Sequence, residues 1–414
     1  MTVPVSRARW TDRGAAVVYV VALLLIYFQT NAVERMAARL LPLAALIVLL
    51  ARPRRDLLAR RVPLALVGFV VWAAASWFWS ADRSGTQIVL LTFVSQVIVA
   101  WTCGSFLDLK TLHRLTTRVA KCLCVVTVAF LLLAYHLSTK PAEDGAPGWH
   151  GPFSHKNGLG AFLVLALLCF WFDRETKRSH RVAWLGLGIV LLIGSESSTA
   201  LALVVVSAAV LLWNQQTGPG AGVWRRTAWL AALLAVLASL ALLLATKFSV
   251  VTGLFGRGSS LSGRTNIWSV VVERIGQKPF FGWGFGGMWR PESLPSQEMW
   301  REMRFHAYHA HSGYLDLLLQ VGIVGLLLYL TFALSAVVRH WRQRARPLHL
   351  WAALVMVTIC LNAVTESAPF FSDGLLFLIG LGLARGAASP ERAIIPRART
   401  PLKMQRARVL EETP

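Results

Sequence analysis

The sequence is poor in charged residues, and acidic residues are the scarcer sign. Of its 414 residues, 15% are charged and 56% are hydrophobic, whereas a soluble domain has about 25% charged residues. This composition excludes an ordinary soluble protein. The 42 Lys and Arg residues outnumber the 20 Asp and Glu residues, but they are spread through short segments. The excess therefore does not indicate a nucleic-acid-binding protein.

Cysteine is also scarce, and its placement excludes two kinds of site. The cysteines fall in or at the ends of apolar segments, at Cys103, Cys122, Cys124, Cys169 and Cys360. This pattern indicates neither a disulfide framework nor a Cys-x-x-Cys metal site. The sequence also lacks the alternation of apolar and polar residues that is typical of a transmembrane β-barrel.

The sequence does contain apolar segments of roughly 17 to 25 residues, the length that an α-helix needs to cross a bilayer. We therefore predict an all-α, polytopic membrane protein with about twelve transmembrane helices in one membrane domain, residues 1–386. The first segment lacks the cleavage site of a signal peptide, so we predict a retained helix. The expected spans are 14–29, 32–51, 63–79, 86–106, 115–137, 157–172, 182–195, 198–213, 227–247, 312–338, 347–366 and 370–386.

The distribution of basic residues predicts the orientation, because Lys and Arg in short loops stay on the cytoplasmic side. Such residues are concentrated after the second, fourth, sixth, eighth and tenth spans, as in Arg52–Arg61, Lys110–Lys121 and Arg339–Arg346. Both termini are therefore expected in the cytoplasm. The basic, Pro-rich tail, residues 387–414, is expected to be disordered and to contact anionic lipid headgroups.

One loop on the opposite side, residues 248–311, is far longer than a simple connection requires, and loops of this kind are usually functional. Hydrophobic residues recur at helical spacing between Thr265 and Gln277, which predicts an amphipathic helix along the membrane surface. The N-terminus of this helix, beside Arg264, suits an anion such as a diphosphate. The alternative is that Arg264 only reaches toward lipid headgroups.

Two further motifs lie in this loop. Pro279 to Gly287 has the glycines of a nucleotide-binding loop but no preceding strand, which favours a turn at the membrane interface whose aromatic rings suit a sugar or a lipid. His306, His309 and His311 then lead into the tenth span. They could bind a metal, but with no nearby cysteine we favour a histidine that orients or deprotonates a hydroxyl group, or binds phosphate.

The shorter outer loop ends with His155 and Lys156, a second basic cluster on the same side. Acidic residues near membrane helices are costly and therefore of interest. Glu196 and Glu366 are the clearest examples near outer helix ends. Each is equally compatible with a functional role and with an interfacial residue paired to a nearby arginine.

Taken together, these motifs resemble the signature of the O-antigen ligase and polymerase superfamily, over about residues 190–330. The matching pieces are Gly263-Arg264-Thr265 with Trp268, Pro279 with Gly282–Gly286, and His309–Leu315 with Gly322 and Gly325. Outside this region, Ser154–Gly160 and Thr365–Ser367 resemble the branch of the family that makes exopolysaccharide. In one departure, Ser312 stands where the family commonly has Asn after the histidine.

The resemblance implies an inverting, metal-independent glycosyltransferase of the membrane-embedded GT-C type, without a cofactor. Its donor would be a glycan on undecaprenyl diphosphate, used at the periplasmic face of the bacterial inner membrane. Arg264 and His311 match the essential arginine and histidine of the family. The remaining candidate residues for binding diphosphate or glycan are Lys156, His155, Arg257, Arg290, His309, Trp268 and Glu366.

The resemblance leaves the acceptor open. A ligase would transfer the glycan to a lipid A core sugar, and a polymerase would transfer it to another lipid-linked unit. A different class of protein, a transporter or flippase for lipid-linked sugars, also fits twelve helices. Such transporters usually have internal repeats and binding residues at the midplane of the membrane, neither of which we find in the sequence.

Overall fold

The structure is a computed structural model. It describes residues 5–27, 32–51, 63–139, 148–217, 222–225, 227–229, 231, 260–367 and 373–384, and this part of the chain is mainly helical. In these ranges the helices are α1 (Val5–Tyr27), α2 (Ala32–Leu50), α3 (Leu64–Ala75), α4 (Arg83–Phe106), α5 (Leu109–Leu133), α6 (Lys156–Phe172), α7 (Arg178–Ser195), α8 (Ser198–Gln216), α9 (Ser260–Gln277), α10 (Leu294–Met303), α11 (Gly313–Trp341), α12 (Pro347–Asn362) and α13 (Asp373–Leu383). The all-α prediction is confirmed for these residues.

Membrane character follows from the length and composition of the helices. In the described part of the chain, α4, α5, α8 and α11 are long and apolar enough to cross a bilayer, and shorter apolar helices accompany them. Each predicted span except the ninth, 227–247, coincides with a described helix. Most of the ninth span and the basic tail lie outside the described residues. The count of twelve spans stays a prediction.

The bundle is held together by one large apolar core, and glycines allow close helix packing within it. Helix α4 packs against α1, α2 and α13, while α6 packs against α7, α8 and α12. A side chain at Gly104 of α4 would lie 2.4 Å from the carbonyl oxygen of Gly380 in α13. Small residues at such crossings let two helix backbones approach closely. In a membrane, the resulting van der Waals contacts stabilise the pair, because burial of apolar side chains gives little driving force there.

Helix α11 is interrupted at Gly322, whose φ of 65° and ψ of −171° are not helical. An interruption frees backbone carbonyl and N–H groups, and these groups need hydrogen-bond partners when they are buried. The turn of residues 278–290, rich in glycine and aromatic residues, lies against the break and supplies them, together with α3. The hydrogen bonds run from Trp283 N–H to Leu319 O (2.9 Å), Gly284 N–H to Gln320 O (2.9 Å), Ile323 N–H to Pro279 O (2.9 Å) and Trp72 Nε1–H to Val321 O (2.9 Å).

The same turn is anchored on its other side by α3 and α4. The Phe285 ring lies edge-on to Phe69 and Phe93, at centroid distances of 6.4 and 5.0 Å. Its backbone N–H donates to Ser76 Oγ at 2.9 Å. Phe280 and Phe281 stay exposed, as expected for aromatic rings at a membrane interface. The prediction of a turn, as opposed to a nucleotide-binding loop, agrees with this packing.

Replacement of Gly322 by alanine tests how strongly the break is determined. The φ of 65° and ψ of −171° lie in a region that essentially only glycine adopts, and this backbone conformation costs another residue about 1–3 kcal/mol. The new Cβ would also lie 2.2 Å from the carbonyl oxygen of Phe280. We expect Gly322→Ala to lower the thermal unfolding midpoint of the detergent-solubilised protein markedly.

Gly186 in α7 is the matched control, because a Cβ atom there meets nothing within 4 Å. Gly186→Ala should leave the midpoint unchanged or raise it, since alanine favours helix. Equal midpoints for the two variants would show that the break in α11 is not constrained.

Candidate active site

The N-terminus of α6 provides one wall of the candidate site. The His155 Nδ1 atom accepts a hydrogen bond from Asn157 N–H at 3.1 Å and so caps the helix. Lys156, the first helical residue, is 6% exposed. The preceding segment is fixed to the end of α7, because Trp149 N–H donates to Gly194 O at 2.8 Å. His155 and Lys156 are therefore held at a helix N-terminus, where the helix dipole favours an anion.

The end of α12 and the start of α11 provide a second wall. Gly313 N–H donates to Ala363 O at 2.8 Å, which joins the two helix ends. Glu366 N–H in turn donates to Asn362 O at 2.9 Å and extends α12 by a turn. The residues just before Gly313 and just after Ala363, including His311 and Glu366, are consequently brought to the same end of the bundle.

Glu366 connects three distant segments of the chain. Its Oε1 atom accepts from Asn157 Nδ2 at 2.8 Å, across 209 residues of sequence. The same oxygen lies 3.3 Å from Arg264 Nη2. The side chains of Arg264 and Glu366 are 23% and 16% exposed, so the pair is less screened than a surface ion pair. Helix α9, the start of α6 and the end of α12 thus meet at one carboxylate.

His309 and His311 are adjacent in this arrangement. Their ring centroids are 4.1 Å apart, and His309 Nδ1 accepts from the backbone N–H of His311 at 3.2 Å. A ring nitrogen that accepts a hydrogen bond carries no proton, so this contact assigns the proton of a neutral His309 to Nε2. Burial lowers the pKa of His309, and the positive charge of Arg264 and then of His155 lowers it further. The hydrogen bond and the lowered pKa therefore both indicate that the imidazole of His309 is neutral.

The backbone of His311 has a φ of 51°, a region that residues with a Cβ atom seldom adopt. The preceding peptide is fixed by helix α9, since Trp268 Nε1–H donates to Ala310 O at 2.8 Å. Trp268 lies one helical turn beyond Arg264, so the same face of α9 carries both. Helix α9 thereby sets the position of the histidine turn, residues 309–311, relative to Arg264.

A second, smaller core supports this helix above the bundle. The buried residues of α9 and α10 pack with the end of the glycine-rich turn, around Val271, Met299 and Trp300. Arg274 at the edge of this core forms ion pairs with Glu298 and Glu302 of α10. Asn266 Nδ2 donates to Met303 O at 3.0 Å. Helix α10 was not predicted from the sequence. With α9 it makes the described part of the long loop, residues 260–311, a packed unit, which we call the outer unit.

The comparison with known proteins shows which family this region is similar to. A family model described as O-antigen ligase matches residues 181–330. These residues are therefore similar to an O-antigen ligase domain. The predicted resemblance to the O-antigen ligase and polymerase superfamily is therefore confirmed. Within the domain lie Arg264, Trp268 and the histidine turn, whereas Asn157 and Glu366 lie outside it.

A curated relative extends the similarity beyond the O-antigen ligase domain. The protein described as exopolysaccharide production protein ExoQ from Rhizobium meliloti (strain 1021) is 25% identical over 276 residues. The aligned region covers 64% of this chain and 62% of that relative. The chain thus spans less than two thirds of the length of the relative.

One of the predicted residues lies away from the cluster around Glu366, and another is not among the described residues. Arg290 pairs with Asp82 at 3.0 Å and with Glu292 at 3.5 Å, at the start of α4. Arg257 lies outside the described residues. A third expectation was wrong in detail: α9 begins at Ser260 and not at Thr265. Arg264 is therefore within the helix, and the helix N-terminus beside the cluster is that of α6.

Two residues of the site were missed by sequence reasoning. Asn157 was part of the quoted motif but received no role, although it contacts Glu366 directly. Asp316, within the predicted span 312–338, received no role, yet it is fully buried and accepts a hydrogen bond from the backbone N–H of Ala310. A carboxylate in an apolar segment is costly, and this was the signal that could have identified it.

The neutral state of His309 predicts a pH dependence of stability. The lowered pKa means that the unfolded chain binds a proton at His309 at a pH where the folded protein does not. Stability is therefore lost as the pH falls through the ordinary histidine pKa of about 6.5, at up to about 1.4 kcal/mol per pH unit. His309→Gln should reduce this loss, measured as the thermal midpoint between about pH 7 and pH 5.

His136→Gln serves as the control, because His136 is exposed. Its midpoints should follow those of the unmodified protein at each pH. If His309→Gln also ran parallel to the unmodified protein, His309 would not be held neutral by its surroundings.

Proposed function

We propose that this chain is an inverting glycosyltransferase of the GT-C type that moves a glycan from undecaprenyl diphosphate to a sugar hydroxyl. The observation that carries the proposal is the junction at Glu366, whose carboxylate contacts Arg264 and Asn157. Trp268, on the same helix as Arg264, donates to Ala310 of the histidine turn. The family match supports glycan transfer, and the cluster offers a group for each partner. Arg264 suits the diphosphate, and His311 suits the hydroxyl acceptor.

Arg264 is proposed to bind the diphosphate. A guanidinium presents five N–H donors in a fixed plane, and the contact with Glu366 at 3.3 Å involves one of its terminal nitrogens. As the bond between the sugar and the diphosphate breaks, negative charge grows on the departing oxygen. A positioned cation stabilises that charge most strongly where water is excluded. Glu366 holds the guanidinium in place and balances its charge before the donor binds.

Lys156 is proposed as the second cation. It is buried at the N-terminus of α6, between His155 and Asn157, and Asn157 reaches the same carboxylate as Arg264. Two cations and a helix N-terminus can compensate the charge of a diphosphate without a divalent ion. The proposed reaction therefore needs no metal.

His311 is proposed to orient the acceptor hydroxyl and to remove its proton. The acceptor oxygen forms the new bond to the anomeric carbon while the carbon–oxygen bond to the diphosphate breaks. The hydroxyl proton passes to the imidazole, and undecaprenyl diphosphate leaves. His309 lies 4.1 Å from His311, measured between ring centroids. Because its surroundings favour the neutral form, it adds no positive charge that would oppose proton uptake by His311.

The proposed setting is the periplasmic face of the bacterial inner membrane, with both termini in the cytoplasm. Basic side chains are concentrated at the other end of the helices that form the site. Lys110, Arg114 and Lys121 on α5 pair with Glu175 and Asp173, just after α6. This asymmetry agrees with the rule that places Lys and Arg in the cytoplasm.

The acceptor separates two versions of the proposal. A ligase would use a lipid A core sugar, and a polymerase would use another lipid-linked unit. The relative described as an exopolysaccharide production protein favours polymerisation, while the family description favours ligation. The transporter alternative gains little from the break in α11, because the glycine-rich turn occupies the freed carbonyl groups.

Substitution of the two central residues tests the reaction. We expect Arg264→Ala to lower kcat/KM for a lipid-linked donor by about 10²- to 10³-fold, as for loss of a group that stabilises a developing anion. Arg264→Lys should retain part of the activity, since it keeps the charge without the planar donors. His311→Ala should cost about 10²- to 10⁴-fold.

Arg301→Ala is the matched control, because Arg301 is exposed on α10 in the same outer unit. It should transfer glycan at the normal rate. Near-normal transfer by both Arg264→Ala and His311→Ala, with the proteins folded, would refute the proposed function.

Reconstitution in liposomes distinguishes the versions of the proposal. With a lipid-linked glycan donor and one candidate acceptor at a time, we expect release of undecaprenyl diphosphate and a longer or transferred glycan. The release should continue in EDTA, because cationic side chains take the role of a metal. Dependence on a divalent ion would contradict the proposed charge compensation, and movement of intact donor without release would indicate a transporter.

A further inference from the structure

Asp316 is a buried carboxylate that lies immediately behind the histidine turn. It belongs to the first turn of α11 and is 0% exposed. Its Oδ1 and Oδ2 atoms accept from the backbone N–H of Ala310 at 3.1 and 3.3 Å. Oδ1 also accepts from Trp289 Nε1 at 2.8 Å. A carboxylate at such a position is costly unless it is well bonded, so its presence calls for a reason beyond packing.

Ala310 is held from both sides. Its N–H binds Asp316 of α11, and its carbonyl oxygen accepts from Trp268 Nε1 of α9 at 2.8 Å. The next residue is His311, with its positive φ of 51°. A backbone in this region persists only when its surroundings determine it. The two contacts to Ala310 provide that determination from the side that precedes His311.

We propose that Asp316 is a positioning residue that holds the histidine turn so that the His311 imidazole meets the acceptor hydroxyl. This inference rests on the proposed role of His311 in glycan transfer. Asp316 acts through the peptide of Ala310 and does not contact the substrate. A displacement of about 1 Å at a reacting group can cost about 10²-fold in rate, so loss of this anchor reduces turnover more than it reduces donor binding.

The principal test is Asp316→Asn. The variant keeps the shape of the side chain but loses the negative charge and one of the two acceptor oxygens. With its amide oxygen at the position of Oδ1, its NH₂ group opposes the Ala310 N–H that Oδ2 accepts at 3.3 Å. We expect kcat per folded protein to fall about 10- to 100-fold, with KM for the donor within about twofold of normal. Arg264→Ala, by contrast, should affect donor binding, because Arg264 contacts the donor.

Trp289→Phe is the matched control. It removes the indole donor to Asp316 and leaves the contact with Ala310. A purely structural role of Asp316 predicts that both variants lower the thermal midpoint while kcat per folded protein stays normal. The positioning role predicts a normal kcat for Trp289→Phe and a low one for Asp316→Asn. A normal kcat for folded Asp316→Asn would overturn the inference.

If Asp316→Asn does not fold, Trp268→Phe tests whether the position of Ala310 matters for turnover, because Trp268 binds the carbonyl oxygen of Ala310 and Asp316 binds its N–H. It removes the donor to the carbonyl oxygen and keeps an aromatic ring in the outer core. We expect a similar loss of kcat, and a normal kcat would overturn the inference.

Combination with His311→Ala separates this inference from the proposed function. Residues that act as one unit are strongly non-additive, so Asp316→Asn should cause no further loss once His311 is absent. Impaired His311→Ala together with normal Asp316→Asn would refute the positioning role alone. Fully active His311→Ala would refute both the proposed function and this inference.

Discussion

Polar groups inside an apolar helix bundle must find their partners within the protein, and this constraint determines how the site is built. The break at Gly322 frees carbonyl groups of α11, and the turn of residues 278–290 binds them. That contact ties the outer unit to the membrane bundle. It also holds the glycine-rich turn against the first part of α11, the helix that follows the histidine turn. The site depends on this arrangement because Arg264 belongs to the outer unit and Glu366 belongs to the bundle.

The same constraint explains why the charged residues of the site are connected to one another. Arg264 is only partly exposed, and a partly buried cation without a counter-ion would be costly. Glu366 supplies the opposite charge, and Asn157 shares its carboxylate. An ion pair of this kind contributes little to the stability of a protein. The role of this ion pair is to fix geometry, since Glu366 holds the guanidinium of Arg264 close to the N-terminus of α6.

Much of the fold could be predicted from the sequence, because the length and hydrophobicity of a segment largely determine a membrane helix. The separation of α7 from α8 around Glu196 and Ser197 was also anticipated. Helix α10 was not, since its apolar residues cover only one side and pack in a small core of the outer unit. The interruption of α11 could not be predicted from glycine alone, because the turn that completes it is distant in sequence.

The candidate site, like the fold, could be predicted only in part from the sequence. Arg264, His311 and Glu366 were predicted as members, but the sequence alone does not reveal which residues meet. The contacts at Glu366 join positions 102 and 209 residues away, and no local pattern encodes such distances. Arg290 had the same appearance as Arg264, a basic residue in the long loop. Only tertiary packing assigns it to Asp82.

The region matched by the O-antigen ligase family model does not contain every residue of the candidate site. The matched region, residues 181–330, contains Arg264 and His311 but ends before Glu366 and begins after Asn157. Arg264 and the histidine turn thus lie within the matched region. The helices on both sides of it supply the carboxylate of Glu366, the amide of Asn157 and the side chain of Lys156. Residues beyond the domain complete the charge balance around Arg264.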